Sequence, residues 1–172
     1  MIAHSTQQVW HWLSQVPDPD MPAVSVVDLG IVREVAWCGD GECVVTITPT
    51  YSGCPAMQAI SQAIEATLQA RGVQRVRLQT RLSPAWTTDW ISESGRQKLR
   101  REGIVPPSGR AADARVVDIS RLRQGPGCEH GVCCPRCGSS RTRMLSAFGS
   151  APCRAMHACD DCLEPFDAFK CH

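Results

Sequence analysis

Eight of the chain's eleven cysteines lie at or beyond Cys128, and four of these form two C-x-x-C pairs, Cys134-Pro-Arg-Cys137 and Cys159-Asp-Asp-Cys162. No other feature restricts the possible folds so tightly. A two-residue spacing in a tight turn lets both thiolates reach one tetrahedral ion, and two such knuckles complete a four-cysteine site. Gly138, directly after the first pair, suits the positive φ such a turn needs. The 21 residues between the pairs include Met144, Leu145, Phe148 and a turn at Gly149, enough for a short β-ribbon. So small a module has little core of its own, so a structural zinc ion would supply much of its folding energy. Free or disulfide-linked cysteines would leave two matched pairs to chance.

The neighbouring cysteines and histidines are less determined. Cys133 competes with Cys134 as a ligand, but the C-P-x-C-G pattern favours Cys134. Cys153 and Cys171 read equally well as redox-active or ligating thiols and as small buried hydrophobes. Cys128 with His130 resembles a stray metal clip, but a solvated linker is the better explanation. His157 and His172 are not needed where four thiolates are available.

The rest of the chain is ordinary by comparison. It has 172 residues, 43% hydrophobic and 20% charged, which suffices for a folded core in one domain or two small ones. A net charge of +1 argues against a basic nucleic-acid binder. No apolar run approaches ~18 residues, so no membrane span is expected. Met1 to Trp12 lacks the pattern of a secretory signal, which makes the cytoplasm the expected compartment. There, abundant cysteine reads as metal or thiol chemistry before disulfides.

Periodicity supplies the elements. Ser5 caps a helix carrying Val9, Trp12, Leu13 and Val16, and the proline-rich stretch Pro17 to Pro22 ends it. Ile31 to Trp37 and Cys43 to Thr48 form a hairpin around Gly39-Asp40-Gly41. Pro55 to Arg71 is a helix stopped by Gly72, Val73 to Leu82 is a third strand, and Glu93 to Arg101 is a further helix. The expected fold is α+β: a small α/β sandwich (helix, β-hairpin, helix, strand, helix) followed by a four-cysteine zinc-ribbon module. The expected boundaries are residues 1–104 for the first domain, 105–132 for a Pro/Gly-rich linker and 133–172 for the ribbon.

Within the first domain, Thr48-Pro-Thr-Tyr-Ser-Gly-Cys54-Pro55 is the most informative stretch. Pro55 suits the first helical position, which places Cys54 at the N-cap beside unpaired amides and the positive end of the helix dipole. A thiol in such a place tends toward the thiolate that serves as nucleophile or soft-metal ligand. Thr50 and Ser52 offer hydroxyls to a bound species, and Gly53 permits its close approach. A cysteine packed in a loop is the plain alternative. Asp18, Asp20 and Asp28 are by default turn or capping residues. Trp86 and Trp90 read either as core or as a docking surface.

Asp18-Pro-Asp20-Met21-Pro22, Asp28-Leu29-Gly30 and the Cys54-Pro55 helix start resemble the small domain of cytosolic iron–sulfur assembly factors. With Pro84-Ala-Trp-Thr-Thr-Asp-Trp90 and the ending Glu164-Pro-Phe-Asp-Ala-Phe-Lys-Cys171, nearly the whole chain resembles the D-subunit family of the phenylacetate-degradation system. That resemblance implies an accessory or maturation subunit of the multicomponent phenylacetyl-CoA 1,2-epoxidase. Its partners would be the oxygenase and reductase components; homo-oligomerisation is left open. The implied cargo is iron or an iron–sulfur cluster held transiently by Cys54, with Asp20 and Thr50 assisting. Asp20 stands where the family often has Glu, which shortens any ligand by a methylene. Cys153 and Cys171 fall where the family carries cysteines. A docking or electron-transfer subunit is the alternative. A thiol enzyme is disfavoured, because His4 and His11 are the first domain's only histidines. No independent turnover is expected.

Overall fold

The computed structural model describes residues 4–107 and 132–170. Cys128, His130, Cys171, His172 and most of the expected linker lie outside these. By their contacts the residues divide into two compact units, Met1–Trp86 with Trp90–Gly95, and Thr87–Asp89 with Arg96–His172. No helix among the described residues is long and apolar enough to cross a membrane.

The first unit opens with α1 (Thr6–Leu13). Ser5 Oγ accepts from the Gln8 amide at 3.2 Å while Gln8 Oε1 accepts from the Ser5 amide at 2.8 Å, a reciprocal cap that satisfies two N-terminal donors. Val9 and Leu13 are buried from this helix. Val16 lies beyond its end but is buried too, held where the Val26 amide bonds its carbonyl at 3.0 Å. Asp18 Oδ1 then accepts the amides of Asp20 and Met21, both at 2.9 Å, which folds the proline-rich segment into an Asx turn.

Strands β1 (Val32–Trp37) and β2 (Cys43–Ile47) pair antiparallel, and β3 (Val76–Thr80) joins β2 in parallel. A parallel neighbour requires a crossover, supplied by α2 (Ala56–Ala70), which buries Ile60, Ile64 and Leu68. Gly72, at φ +89°, ends it where only glycine is unstrained. The expected third strand is therefore real but shorter than Val73 to Leu82. All five β2 residues are buried, as the central position requires. Arg75–Asp40, Arg77–Glu42 and Arg81–Glu34 ion pairs tie β3 and its flanks to the β1–β2 hairpin.

A short 3-10 turn (Thr88–Trp90) leads to α3 (Glu93–Arg101). Ser92 Oγ caps this helix by accepting the Gly95 amide at 2.9 Å and donates to Asp28 Oδ1 at 3.1 Å. Asp28 also accepts from Ser25 Oγ at 2.8 Å, so its carboxylate is a structural knot.

The second unit is built on an antiparallel sheet of β4 (Thr142–Ser146), β5 (Arg154–Cys159) and β6 (Pro165–Phe169). Val105, the first residue of the expected linker, is itself paired with β6: its amide bonds the Asp167 carbonyl, and the Phe169 amide bonds its carbonyl, both at 2.9 Å. Val105, Val132 and Cys162 pack on the buried trio Cys134, Cys159 and Phe166, the small apolar core of this unit.

Candidate functional site

The two knuckles are built alike. In the first, the Gly138 amide bonds the Cys134 carbonyl at 2.9 Å with Gly138 at φ +75°. In the second, Leu163 takes the corresponding place at φ +60°, although it is not glycine. The amides of Asp161 and Cys162 point at Cys159 Sγ from 3.4 and 3.5 Å. These turns aim all four sulfurs inward. Cys134 and Cys162 are 3.6 Å apart at Sγ, Cys137 and Cys159 are 3.5 Å apart, and all four sulfurs lie within 4.8 Å of one another.

Tetrahedral zinc with Zn–S bonds of about 2.3 Å places its sulfurs ~3.8 Å apart, so the cage fits that ion. Backbone amides favour the thiolate at two of the four positions. Amides of Cys137 and Arg136 pull the Cys134 thiol below its ordinary value, and the Cys162 amide does the same for Cys159. The Ser139 amide alone would lower Cys137, but its hydrogen bond to Cys159 and those to Cys162 and Cys134 outweigh that and push it up to about 12. The first cysteine of each knuckle is thus the readier thiolate.

Cys133 is exposed beside buried Cys134, and only Cys134 joins the cage. Cys153 is buried outside it, with its carbonyl accepting the Lys170 amide at 2.9 Å. His157 is half-buried and stacks on Phe166 with centroids 5.7 Å apart.

The candidate thiol of the first unit, Cys54, is placed by topology. Carboxyl ends of parallel strands and the N-termini of their crossover helices share one rim, where α/β folds bind ligands. Cys54 is half-buried on the connection from β2 to α2. Its amide bonds the Tyr51 carbonyl at 3.3 Å, closing a turn in which Gly53 has φ +88°. A Cβ on Gly53 would meet nothing within 4 Å, so glycine is required there by backbone conformation alone.

The cap differs from expectation by one residue. Pro55, at φ −67° and ψ −24°, holds the N-cap position, and Cys54 precedes it. The proline ring keeps its predecessor out of the helical region, which leaves Cys54 in the turn. Pro55 supplies no side-chain cap to α2 and no acid occupies the helix's first turn, so the positive end of the helix dipole is uncompensated by either.

Asp20 is exposed and Thr50 half-buried. Among the described residues, the only group of three or more His, Cys, Asp or Glu able to share an ion is the four-cysteine cage, so Asp20 and Cys54 are not joined in such a group. Trp86 is core, with Nε1 donating to the Leu29 carbonyl at 2.9 Å. Trp90 instead carries Arg33, whose guanidinium carbon lies 3.6 Å from the ring centroid. Arg33 was not legible as a site residue; the one hint is a cation directly after the apolar run Leu29 to Val32.

The chain thus joins an α/β unit with a thiol before its crossover helix to a ribbon whose four cysteines fit a zinc ion. The comparisons agree. Residues 6–77 match the family of iron–sulfur cluster assembly proteins, and residues 121–170 match the PaaD zinc beta ribbon domain. The chain is 43% identical over 164 residues, 95% of its length and 92% of the relative's, to an Escherichia coli K12 protein provisionally named as the D-subunit of 1,2-phenylacetyl-CoA epoxidase. The chain belongs to that D-subunit family. It is also 32% identical, over 54% of its length and 89% of the relative's, to an Fe-S protein maturation auxiliary factor of Porphyromonas gingivalis W83. A crystal structure of a domain of unknown function, DUF59, from Bacillus anthracis covers 54% of this chain and 89% of its own, at TM-score 0.51 and 25% identity.

Proposed function

We propose that the chain is an accessory subunit of phenylacetyl-CoA epoxidase that assists assembly of an iron–sulfur or di-iron cofactor in the oxygenase or reductase component. Cys54 holds iron or an iron–sulfur unit as transient cargo, with Asp20 and Thr50 assisting. Zinc, held by Cys134, Cys137, Cys159 and Cys162, keeps the ribbon folded. The observation that carries this reading is Cys54 itself, half-buried on the open turn that leads into a helix whose N-cap residue makes no side-chain hydrogen bond. A single protein thiol leaves most of a metal's positions open, which suits delivery rather than storage.

The test is co-expression with the oxygenase and reductase components. Cys54→Ala should lower their iron and sulfide content and the epoxidase activity, while zinc stays at one per chain. Wild-type cofactor content in that variant would sink the proposal.

A second reading, a docking subunit without cluster transfer, is favoured by the exposed apolar side chains of the ribbon. Phe148 is 70% and Leu163 76% exposed, with Met144 and Leu145 nearby in sequence. Under that reading the chain co-purifies with the oxygenase regardless of the Cys54 substitution, and cofactor content does not change.

A further inference from the structure

Among the described residues, Arg33 is the one arginine of the first unit with no side-chain acceptor. Arg71 donates to Gln15 Oε1 at 3.0 Å, Arg75 pairs with Asp40 at 2.8 Å, Arg77 with Glu42 at 2.8 Å and Arg81 with Glu34 at 3.1 Å. Arg33 has the Trp90 ring at 3.6 Å and a long 3.5 Å bond from Nη1 to the Gly30 carbonyl.

Its position follows from the strand register. β1 pairs with β2 through Val32↔Ile47 and then Glu34↔Thr46, so Arg33 is the extra residue of a β-bulge. A bulge breaks strand alternation and re-aims the side chain it carries. The platform beneath is equally determined. A Cβ on Gly30 would lie 2.5 Å from the Trp90 carbonyl oxygen, so glycine is what allows Trp90 to seat there. Burial draws the Arg33 guanidinium below its ordinary value, with no anion among the described residues to offset it. The Thr48 amide bonds the Ile31 carbonyl at 2.8 Å, so the start of β1 adjoins the end of β2, from which the chain continues to the Cys54 turn.

The geometry points to Arg33 as an oxyanion-binding residue, held over the Trp90 ring so that its unused N–H donors take a carboxylate or phosphate from an incoming ligand or partner. A guanidinium fork meets two oxygens of either group in parallel, and stacking on an aromatic face fixes its plane in advance. This site does not depend on whether Cys54 carries iron.

The test is an arginine Nε–Hε NMR titration of the full zinc-loaded chain. The probes are sodium phosphate and, separately, a glutamate-rich hexapeptide, each compared with sodium chloride at equal ionic strength. The Arg33 signal is identified by its loss in Arg33→Gln. It should shift saturably with at least one probe while Arg75, Arg77 and Arg81 do not, and Arg33→Lys should weaken that binding about tenfold, through loss of the bidentate fork. Saturation by phosphate alone assigns a phosphorylated small molecule; saturation by the peptide alone assigns a protein carboxylate. No saturable shift with either probe, or an equal shift with chloride, would overturn the assignment. Through-space contacts to the Trp90 ring identify the same signal in the wild-type chain, so its titration decides this even if a variant fails to fold.

Discussion

Two glycines with nearly the same backbone conformation make different demands on the fold, and the difference can be measured. Gly30 has φ +66° and Gly41 φ +80°, both in the left-handed region. Alanine at either costs roughly 1–2 kcal/mol for that conformation, partly offset by about 0.4–1 kcal/mol from a stiffer unfolded chain. At Gly41 a Cβ meets nothing within 4 Å, so Gly41→Ala should cost about 1 kcal/mol. At Gly30 the Cβ would lie 2.5 Å from the Trp90 carbonyl oxygen, 2.7 Å from its Cβ and 3.0 Å from its carbonyl carbon. Two of those three atoms are backbone and cannot swing aside, so an overpacking cost of roughly 1–3 kcal/mol is added. All five tryptophans lie within the first unit, so their fluorescence during urea unfolding reports that unit specifically. With a slope of about 2 kcal/mol per molar urea, Gly30→Ala should lower the midpoint by ~1–2 M and Gly41→Ala by about 0.5 M or less. Equal midpoint shifts would refute the seating of Trp90 against Gly30.

Two further outcomes are expected. Stripping zinc with a strong chelator should remove one ion per chain and melt the ribbon, seen as loss of its dispersed amide signals, while the tryptophan-reported midpoint of the first unit moves little; coincident loss of both would refute the division into independent units. Cys43 is buried, and burial raises its thiol from 9.0 to about 11. The folded protein therefore holds this proton more tightly than the unfolded chain does. Its full contribution is present below pH ~9 and is lost as pH rises through ~11, a decline of about 2–3 kcal/mol that Cys43→Ala should flatten in urea midpoints measured across that range.

What could be read from the sequence was mainly local chemistry. Ser5 with Gln8, Gly72 after a helical run, and two C-x-x-C pairs each require only neighbours in the chain, and each forms as the residues dictate. Asp18 and Asp28 likewise turned out to serve turns and caps. The features that escape the sequence depend on partners distant along the chain or on conformations that residue type does not announce. Val105 looks like linker beside Pro106 and Pro107, yet β6 recruits it through two backbone bonds. Leu163 occupies a left-handed position that Gly138 signals openly in the other knuckle. Arg33 becomes distinctive only through a bulge, a property of strand pairing that the order of residues along β1 does not reveal.

The same reasoning separates the two kinds of cysteine. At the cage, two turns and a three-stranded sheet fix four sulfurs, and a filled tetrahedron leaves no position for exchange. Such a site retains its ion and contributes folding energy. Cys54 is on a different scaffold: one thiol, in a turn opened by Gly53, before a helix whose N-cap residue makes no side-chain hydrogen bond. If delivery is its task, as proposed, that scarcity of ligands is required, because each further fixed ligand would slow release of the cargo. Adding a ligand is therefore the informative perturbation. Gly53→Cys is unsuitable, since its backbone at φ +88° strains any side chain, but Ser52→Cys places a second thiol in the same turn without that strain. Under the delivery reading, Ser52→Cys should raise iron retained by the isolated protein and lower iron transferred to the oxygenase and reductase components. Higher retention with undiminished transfer would show that ligand scarcity at Cys54 is not what permits release.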